Sequence, residues 1–294
     1  MHGTFDSTQK GSFWAKAATG AAIGAALFLV AAKAYAFAVS GSVAVLGSLT
    51  DSALDLAGSL GAFLAVRYAA MPADDDHRFG HQKAEALSAL GQSVLIGASA
   101  LFLAVESVKR LLDPEPVQAA GAAMAVLVLG LVVTAGLVAF QSYALKRSGN
   151  LVVEGDRAHY TGDLIAHGGA LVAVFLASRF GISWADALAG LVAAGFLAWS
   201  VKSILGAALP QVMDQELPDD DVAAITAILD SEEEAAGWHH LRTRRSGGRR
   251  FVQLHLDLLG DMTLAEAHTI ADRVERRIED AFPDADVIVH QDPV

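Results

Sequence analysis

The sequence predicts a membrane all-α domain of six transmembrane helices, followed by a small soluble α+β domain. Three observations carry that prediction. Of 294 residues, 53% are apolar and only 18% charged, with a mean hydropathy of +0.41; a soluble globular chain carries about 25% charged residues. Uncharged runs recur at 17–32, 34–50, 86–105, 116–145, 164–178 and 187–201, and a transmembrane helix needs roughly 20 mostly apolar residues. The formal charge of −12 is also unevenly held. Residues 1–206 have 13 Lys/Arg and 14 Asp/Glu, whereas residues 207–294 have 8 and 19. A nearly neutral apolar part is thus followed by an acidic polar one.

These figures exclude several classes of protein. An apolar content of 53% is too high for a disordered chain. A net charge of −12 opposes nucleic-acid binding, which needs a basic face. With no cysteine there is neither a disulfide framework nor a thiolate metal site.

The polar residues that flank each run extend the six spans to about 12–38, 43–70, 84–112, 118–146, 152–178 and 182–206. The fourth is the clearest, with no charge over 116–145, and the second is interrupted by Asp51 and Asp55. Lys16, the first apolar run and Ala34-Tyr35-Ala36 have the form of a signal peptide. The apolar pattern continues to Thr50, however, which favours a retained span. The expected organisation is an N-terminal segment 1–11, a membrane domain 12–208 and a tail 209–294. Lys and Arg in short loops set orientation. With the N-terminus inside, nine fall on the inner side (Lys10, Lys16, Arg67, Arg78, Lys83, Lys146, Arg147, Arg157, Lys202) and three outside (Lys109, Arg110, Arg179). Both termini are therefore expected in the cytoplasm.

The tail reads α-β-β-α-β. Pro218 and the acids Asp219 to Asp221 open a helix to about Ser231. Residues 238–245 and 250–258 make a hairpin across Ser246-Gly247-Gly248. Leu264, Ala267, Ile270, Ala271, Val274 and Ile278 give 263–281 a helical period, and 286–290 is a short apolar strand.

The chemistry lies in charges placed where they cost most. Asp51 and Asp55 are one helical turn apart and share a face. An ionised Asp at membrane depth costs about 2.5–3.5 kcal/mol on insertion scales, and a bound cation removes that penalty. His159 and Asp163 repeat the spacing in the fifth span. Three carboxylates and one imidazole suit a tetrahedral divalent metal. The imidazole titrates near neutral pH and must be deprotonated to bind metal, so metal and protons compete. That competition is a physical basis for metal/proton antiport. His167, one turn past Asp163, reads equally as a proton relay or as a packing histidine.

Two further groups lie outside the spans. Asp74, His77 and His81 in the loop between spans two and three make a surface metal site or a solvated loop; the residues alone allow both. The tail holds half of the ten histidines, His239, His240, His255, His268 and His290, with Asp292 nearby. Converging at one end of a small domain, they would hold one or two metal ions; singly, each reads as structural.

Asp-x-x-x-Asp in the second span, His-x-x-x-Asp in the fifth, the Asp-His-x-Phe-Gly-His loop, and the tail's LRTR and VIVHQDP stretches resemble the cation diffusion facilitator family. The resemblance is to its bacterial zinc/iron efflux branch and runs from about residue 12 to the C-terminus. It implies a six-helix homodimer in the bacterial cytoplasmic membrane, with a cytoplasmic metallochaperone-like domain. It implies a transport site of Asp51, Asp55, His159 and Asp163, and a loop site of Asp74, His77 and His81. It further implies one tail ion on His239, His255 and Asp292 and a second on His255, His268 and His290, with Gln291 auxiliary. Lys83 and Asp214 match a charge interlock of the dimer. His240 stands where relatives often have an acid, which leaves open whether His239 or His240 binds.

The function expected is a divalent metal/proton antiporter exporting Zn²⁺, with Fe²⁺ and Cd²⁺ as further cargo. Its partners are a second copy, protons and the lipid bilayer, with no nucleic acid or nucleotide. The alternative is a membrane-anchored metal sensor or scaffold without flux. The chain has no His-Glu-x-x-His, Gly-x-Ser-x-Gly or P-loop motif, which opposes an enzyme and ATP-driven pumping.

Overall fold

The computed structural model describes residues 4–40, 43–113, 121–180 and 184–294. Two compact units appear, one of Lys10–Ala208 and one built on Leu209–Val294. The first is made of six long helices: α1 (Thr4–Ser40), α2 (Val43–Ala69), α3 (Lys83–Leu112), α4 (Gly121–Ser148), α5 (Leu151–Phe180) and α6 (Ala185–Val212). Among the described residues, five of them are long and apolar enough to cross a membrane. The sixth, α5, is long enough but is made polar by Glu154, Asp156, Arg157, His159 and Asp163. The first helix starts at Thr4, eight residues before the expected span. Residues 1–3, the expected loop at 114–117 and the first residues of the fourth span, 118–120, lie outside the described residues.

The helix bundle inverts the usual size order of a soluble core. Its interior is lined by small residues: Ala15, Ala18, Ala62 and Ala144 pack with Val66, Val152 and Val153 where α1, α2, α4 and α5 meet. Large apolar side chains face outward instead, among them Phe28, Leu54, Leu64, Leu101, Phe102, Val132, Phe175 and Trp199. Lipid offers no hydrophobic drive for helix association, so close backbone approach through small residues takes its place.

The turn between α4 and α5 fixes where α5 begins. Gly149, at φ 58, ends α4 with its N–H donating to Leu145 O at 2.9 Å. A left-handed residue there costs glycine little. Asn150 then caps α5, its Oδ1 accepting from the N–H groups of Val152 (3.0 Å) and Val153 (3.2 Å). From that start, α5 packs against α2, α3 and α4.

The second unit contains α7 (Asp219–Asp230), β1 (Gly237–Ser246), β2 (Arg249–Leu258), α8 (Leu264–Ala281) and β3 (Ala285–Pro293). The sheet order is β1-β2-β3, with β1 antiparallel and β3 parallel to β2. A parallel return needs a crossover, which α8 supplies. Thr263 opens α8 with a capping box: its hydroxyl accepts from Glu266 N–H, and the Glu266 side chain accepts from Thr263 N–H. One face of the sheet (Val252, Leu254, Leu256, Leu258, Val287) is covered by Ile225 and Leu229 of α7 and by Ile270, Val274 and Ile278 of α8. The alternate residues of β2 and β3 lie on the opposite face.

Candidate metal centres

In the membrane unit, α2 and α5 bring three of the four expected ligands together. Oxygen and nitrogen atoms of Asp55, His159 and Asp163 all lie within 4.8 Å of one another. His159 Nε2 stands 2.9 Å from Asp55 Oδ1 and 3.6 Å from Asp163 Oδ2. The i,i+4 spacing on α5 puts His159 and Asp163 on one face, and contact between α2 and α5 closes the set. Asp51 lies one turn before Asp55, is exposed, and stands outside that group. His167 is half-buried one turn beyond Asp163.

Three surrounding features were not singled out from the sequence. Asp156, buried one turn before His159, accepts from Gln141 Nε2 of α4 at 2.6 Å and from Ser59 Oγ of α2 at 3.4 Å. Ser59 Oγ also lies 2.9 Å from Tyr160 OH. This network joins α2, α4 and α5 beside the ligands and holds α5 in its rotation. The second feature is Lys33 of α1, buried, with Nζ donating to Ser52 Oγ at 2.7 Å and to Ser48 O at 3.0 Å on α2. Gly162, between the two α5 ligands, lets α6 approach: a methyl there would collide with Leu197. Contact order hides all three, because the partners are distant in sequence.

The loop between α2 and α3 folds Asp74, His77 and His81 into a second convergent group. Asp74 Oδ1 accepts from the N–H groups of Asp76 (3.1 Å) and His77 (2.7 Å), an Asx turn that fixes its carboxylate. Those bonds, led by that of His77, hold the carboxyl below the usual range. Its other oxygen is 3.2 Å from His81 Nε2. His81 is buried, and its Nδ1 donates to Pro72 O at 3.1 Å. A carbonyl only accepts, so that bond fixes the tautomer and leaves Nε2 as the ligand atom.

In the tail, strand register does the positioning. His239 pairs with His255, and His255 with His290, so a row of three histidines crosses the sheet on the face opposite the helices. Asp257 pairs with Asp292 one step along the same face. Asp292 Oδ2 accepts from His255 Nδ1 at 2.7 Å, and its Oδ1 is 3.1 Å from His290 Nε2. The His255 bond leads in holding the Asp292 carboxyl below its ordinary range. His239 Nδ1 is 3.0 Å from Asp257 Oδ1, and its Nε2 is 3.4 Å from Asp292 Oδ2. Asp257 was not anticipated from the sequence; it stands beside His239 Nδ1, where a carboxylate can orient a metal-binding histidine.

Both neighbouring histidines reach this face because β1 is bulged. Between the pairs His239–His255 and Arg242–Gln253, two residues of β1, His240 and Leu241, face one of β2, Leu254, and His240 takes φ 51. The extra residue turns His240 back beside its neighbour, so His239, His240 and His255 also converge. His268 does not join the row: it sits in the helical layer, on α8, 3.7 Å from Asp272. Gln291 pairs with Leu256, on the helix-facing alternation of β3. Asp214, just past α6, accepts from Arg244 Nη1 at 2.9 Å, and Lys83 begins α3.

The motif-bearing segments have matches across known proteins. Residues 20–210 match the cation efflux transmembrane domain, and residues 217–294 match the cytoplasmic domain of cation efflux proteins. The chain belongs to the cation efflux, or cation diffusion facilitator, family. A cation-efflux pump FieF of Shewanella oneidensis is 41% identical over 287 residues, covering 98% of this chain and 97% of that protein. The FieF pump of Pectobacterium carotovorum is 42% identical over 284 residues, covering 96% and 94%. A solved structure of CzrB in its zinc form is 38% identical, covers 27% of this chain and 92% of its own, and has a TM-score of 0.26. As a cation efflux protein the chain is a multi-pass membrane transporter of metal cations and not an enzyme.

Proposed function

We propose that this cation efflux protein is a Zn²⁺/H⁺ antiporter that expels the metal from the cytoplasm by alternating access, with Fe²⁺ and Cd²⁺ as further cargo. The observation that carries the reading is His159 Nε2 held between Asp55 and Asp163, with 2.9 Å to the first. One imidazole among carboxylates, in a chain without cysteine, offers borderline and hard ligands together. Asp51, one turn away on α2, supplies the fourth ligand once that helix turns. Cargo enters from the cytoplasmic side, the helices rock, and outer protons take the His159 and carboxylate lone pairs, releasing the metal. A bound cation and bound protons each relieve the charge of the empty carboxylates inside the bilayer, which makes either exchange form able to cross.

The remaining expectations fit this scheme. The membrane is the bacterial cytoplasmic one, with both termini inside, as nine basic residues against three suggest. The chain works as a homodimer, with Lys83 and Asp214 as its charge interlock. Tail and loop sites sense metal and move none, because both lie outside the spans. Cations on His239, His255, His290 and Asp292 offset part of the tail's −11 charge, so metal favours pairing of two tails.

The test is flux into proteoliposomes with Zn²⁺, Cd²⁺, Fe²⁺ and Mn²⁺ under an imposed pH gradient. Zn²⁺ is expected to move fastest and only while the gradient stands. Zinc uptake that ignores the gradient would remove the antiport reading, and preference for Mn²⁺ would remove the zinc assignment.

A further inference from the structure

Lys33 sits within the first apolar span, between uncharged runs 17–32 and 34–50, where an ammonium is costly unless something nearby uses its charge. The structure shows what does. Its Nζ is buried and donates to Ser52 Oγ at 2.7 Å and to Ser48 O at 3.0 Å. Ser48 and Ser52 lie three residues before Asp51 and Asp55 respectively, so α1 is tied to the very turns of α2 that carry both aspartates. Asp51 and Asp55 stand on those same turns of α2, and Asp163 converges with Asp55. Both acceptors are neutral oxygens, so the hydrogen bonds take no carboxylate lone pair and leave those for a cation.

The charge count is informative. The three expected ligand carboxylates carry −3, a ligating His159 is neutral, and Lys33 adds +1, leaving −2 on that set; Asp156, also buried there, is solvated by Gln141 and Ser59 and is counted apart from it. A divalent cation brings that set to zero. A monovalent ion leaves it negative and a trivalent ion leaves it positive, and an uncompensated charge at membrane depth is unfavourable in either case. We propose that Lys33 is a fixed countercharge, a positioning residue that tethers α1 to the aspartate-bearing turns of α2 and matches the charge of the transport site to one divalent cation. The inference rests on the reading that Asp51, Asp55, His159 and Asp163 carry the cargo.

The test measures initial rates of Zn²⁺ uptake against concentration, with the full chain in proteoliposomes. Lys33→Arg keeps the charge and is expected to stay within about threefold of the unchanged protein in both KM and Vmax. Lys33→Gln leaves the loaded site with one negative charge too many. Its apparent KM is expected to fall about tenfold and its Vmax at least tenfold, because metal is held and released slowly. Ser52→Ala keeps the charge but loosens the tether; the ammonium then turns towards the carboxylates and competes with cargo, raising KM several-fold. Opposite KM shifts from these two variants are not expected of a merely structural lysine. A KM for Lys33→Gln that is unchanged or raised overturns the proposal. If Lys33→Gln does not assemble, Ser52→Ala decides alone, and an unchanged KM overturns it. Absence of uptake by the unchanged protein would instead fault the transport reading itself.

Discussion

On the proposed reading, His159 sets what kind of cation the membrane site prefers. Its Nε2 is the only nitrogen among the Asp55 and Asp163 oxygens, so it supplies the borderline character that favours zinc over harder ions. Replacing it with Asp makes the set all-oxygen. In a flux assay His159→Asp is expected to lose preference for Zn²⁺ over Mn²⁺, and an unchanged ratio would contradict the role of the imidazole. Outside the membrane, hydrogen bonding sets carboxylate behaviour. Asp74, Glu266 and Asp292 are all held below their ordinary range, by His77 N–H, Thr263 N–H and His255 respectively. A depressed carboxyl contributes stability that is present above its unfolded value, about 3.9 for Asp and 4.3 for Glu, and is lost as pH falls through the folded one. The tail's thermal transition in the full chain is therefore expected to weaken as pH drops from about 5 to about 3, and a pH-independent midpoint there would contradict the assignment. Asp51, Asp55, His159 and Asp163 are legible as candidates because each i,i+4 pair lies within one helix, the first on α2 and the second on α5. Lys33, Asp156 and Asp257 are not, because their meaning depends on partners on other helices or strands.

Helices and strands show the same division between local and distant information. The tail elements follow from local signals: proline and acids at 218–221, glycines between β1 and β2, and the apolar period of α8. The Thr263 cap is local too, and Thr263→Ala is expected to cost about 1 kcal/mol of tail stability in chemical unfolding; no change would mean the capping box is not formed in solution. The start of α1 at Thr4 was less legible, since its polar first turns carry no apolar pattern. The bulge in β1 was not legible at all. Alternation would put His239 and His240 on opposite faces, and only the extra residue between His239 and Arg242 brings them together. Likewise His268 has a plausible ligand identity in sequence, yet the crossover that makes β3 parallel to β2 requires α8, and with it His268, to lie in the helical layer.

At the scale of the whole molecule, composition predicted two parts of different character, and the structure contains two compact units. The near-neutral part holds a few charged groups, Lys33, Asp55, Asp156, His159 and Asp163, among its helices, and on the proposed reading metal and protons bind there. The acidic part lays a row of histidines and carboxylates along the open face of a three-stranded sheet. Homology to cation efflux pumps extends over both, from the first helix to the last strand. The central claim is that the α2–α5 ligands couple metal movement to protons. The most direct measurement compares Zn²⁺ flux in proteoliposomes under an imposed pH gradient for the unchanged protein and for Asp163→Ala, with folding checked by size-exclusion chromatography. The account predicts gradient-dependent flux in the first and loss of at least 100-fold in the second, roughly the 3 kcal/mol cost of breaking a buried charged set. Full flux in Asp163→Ala, or flux in the unchanged protein that persists after the gradient is collapsed, would contradict it.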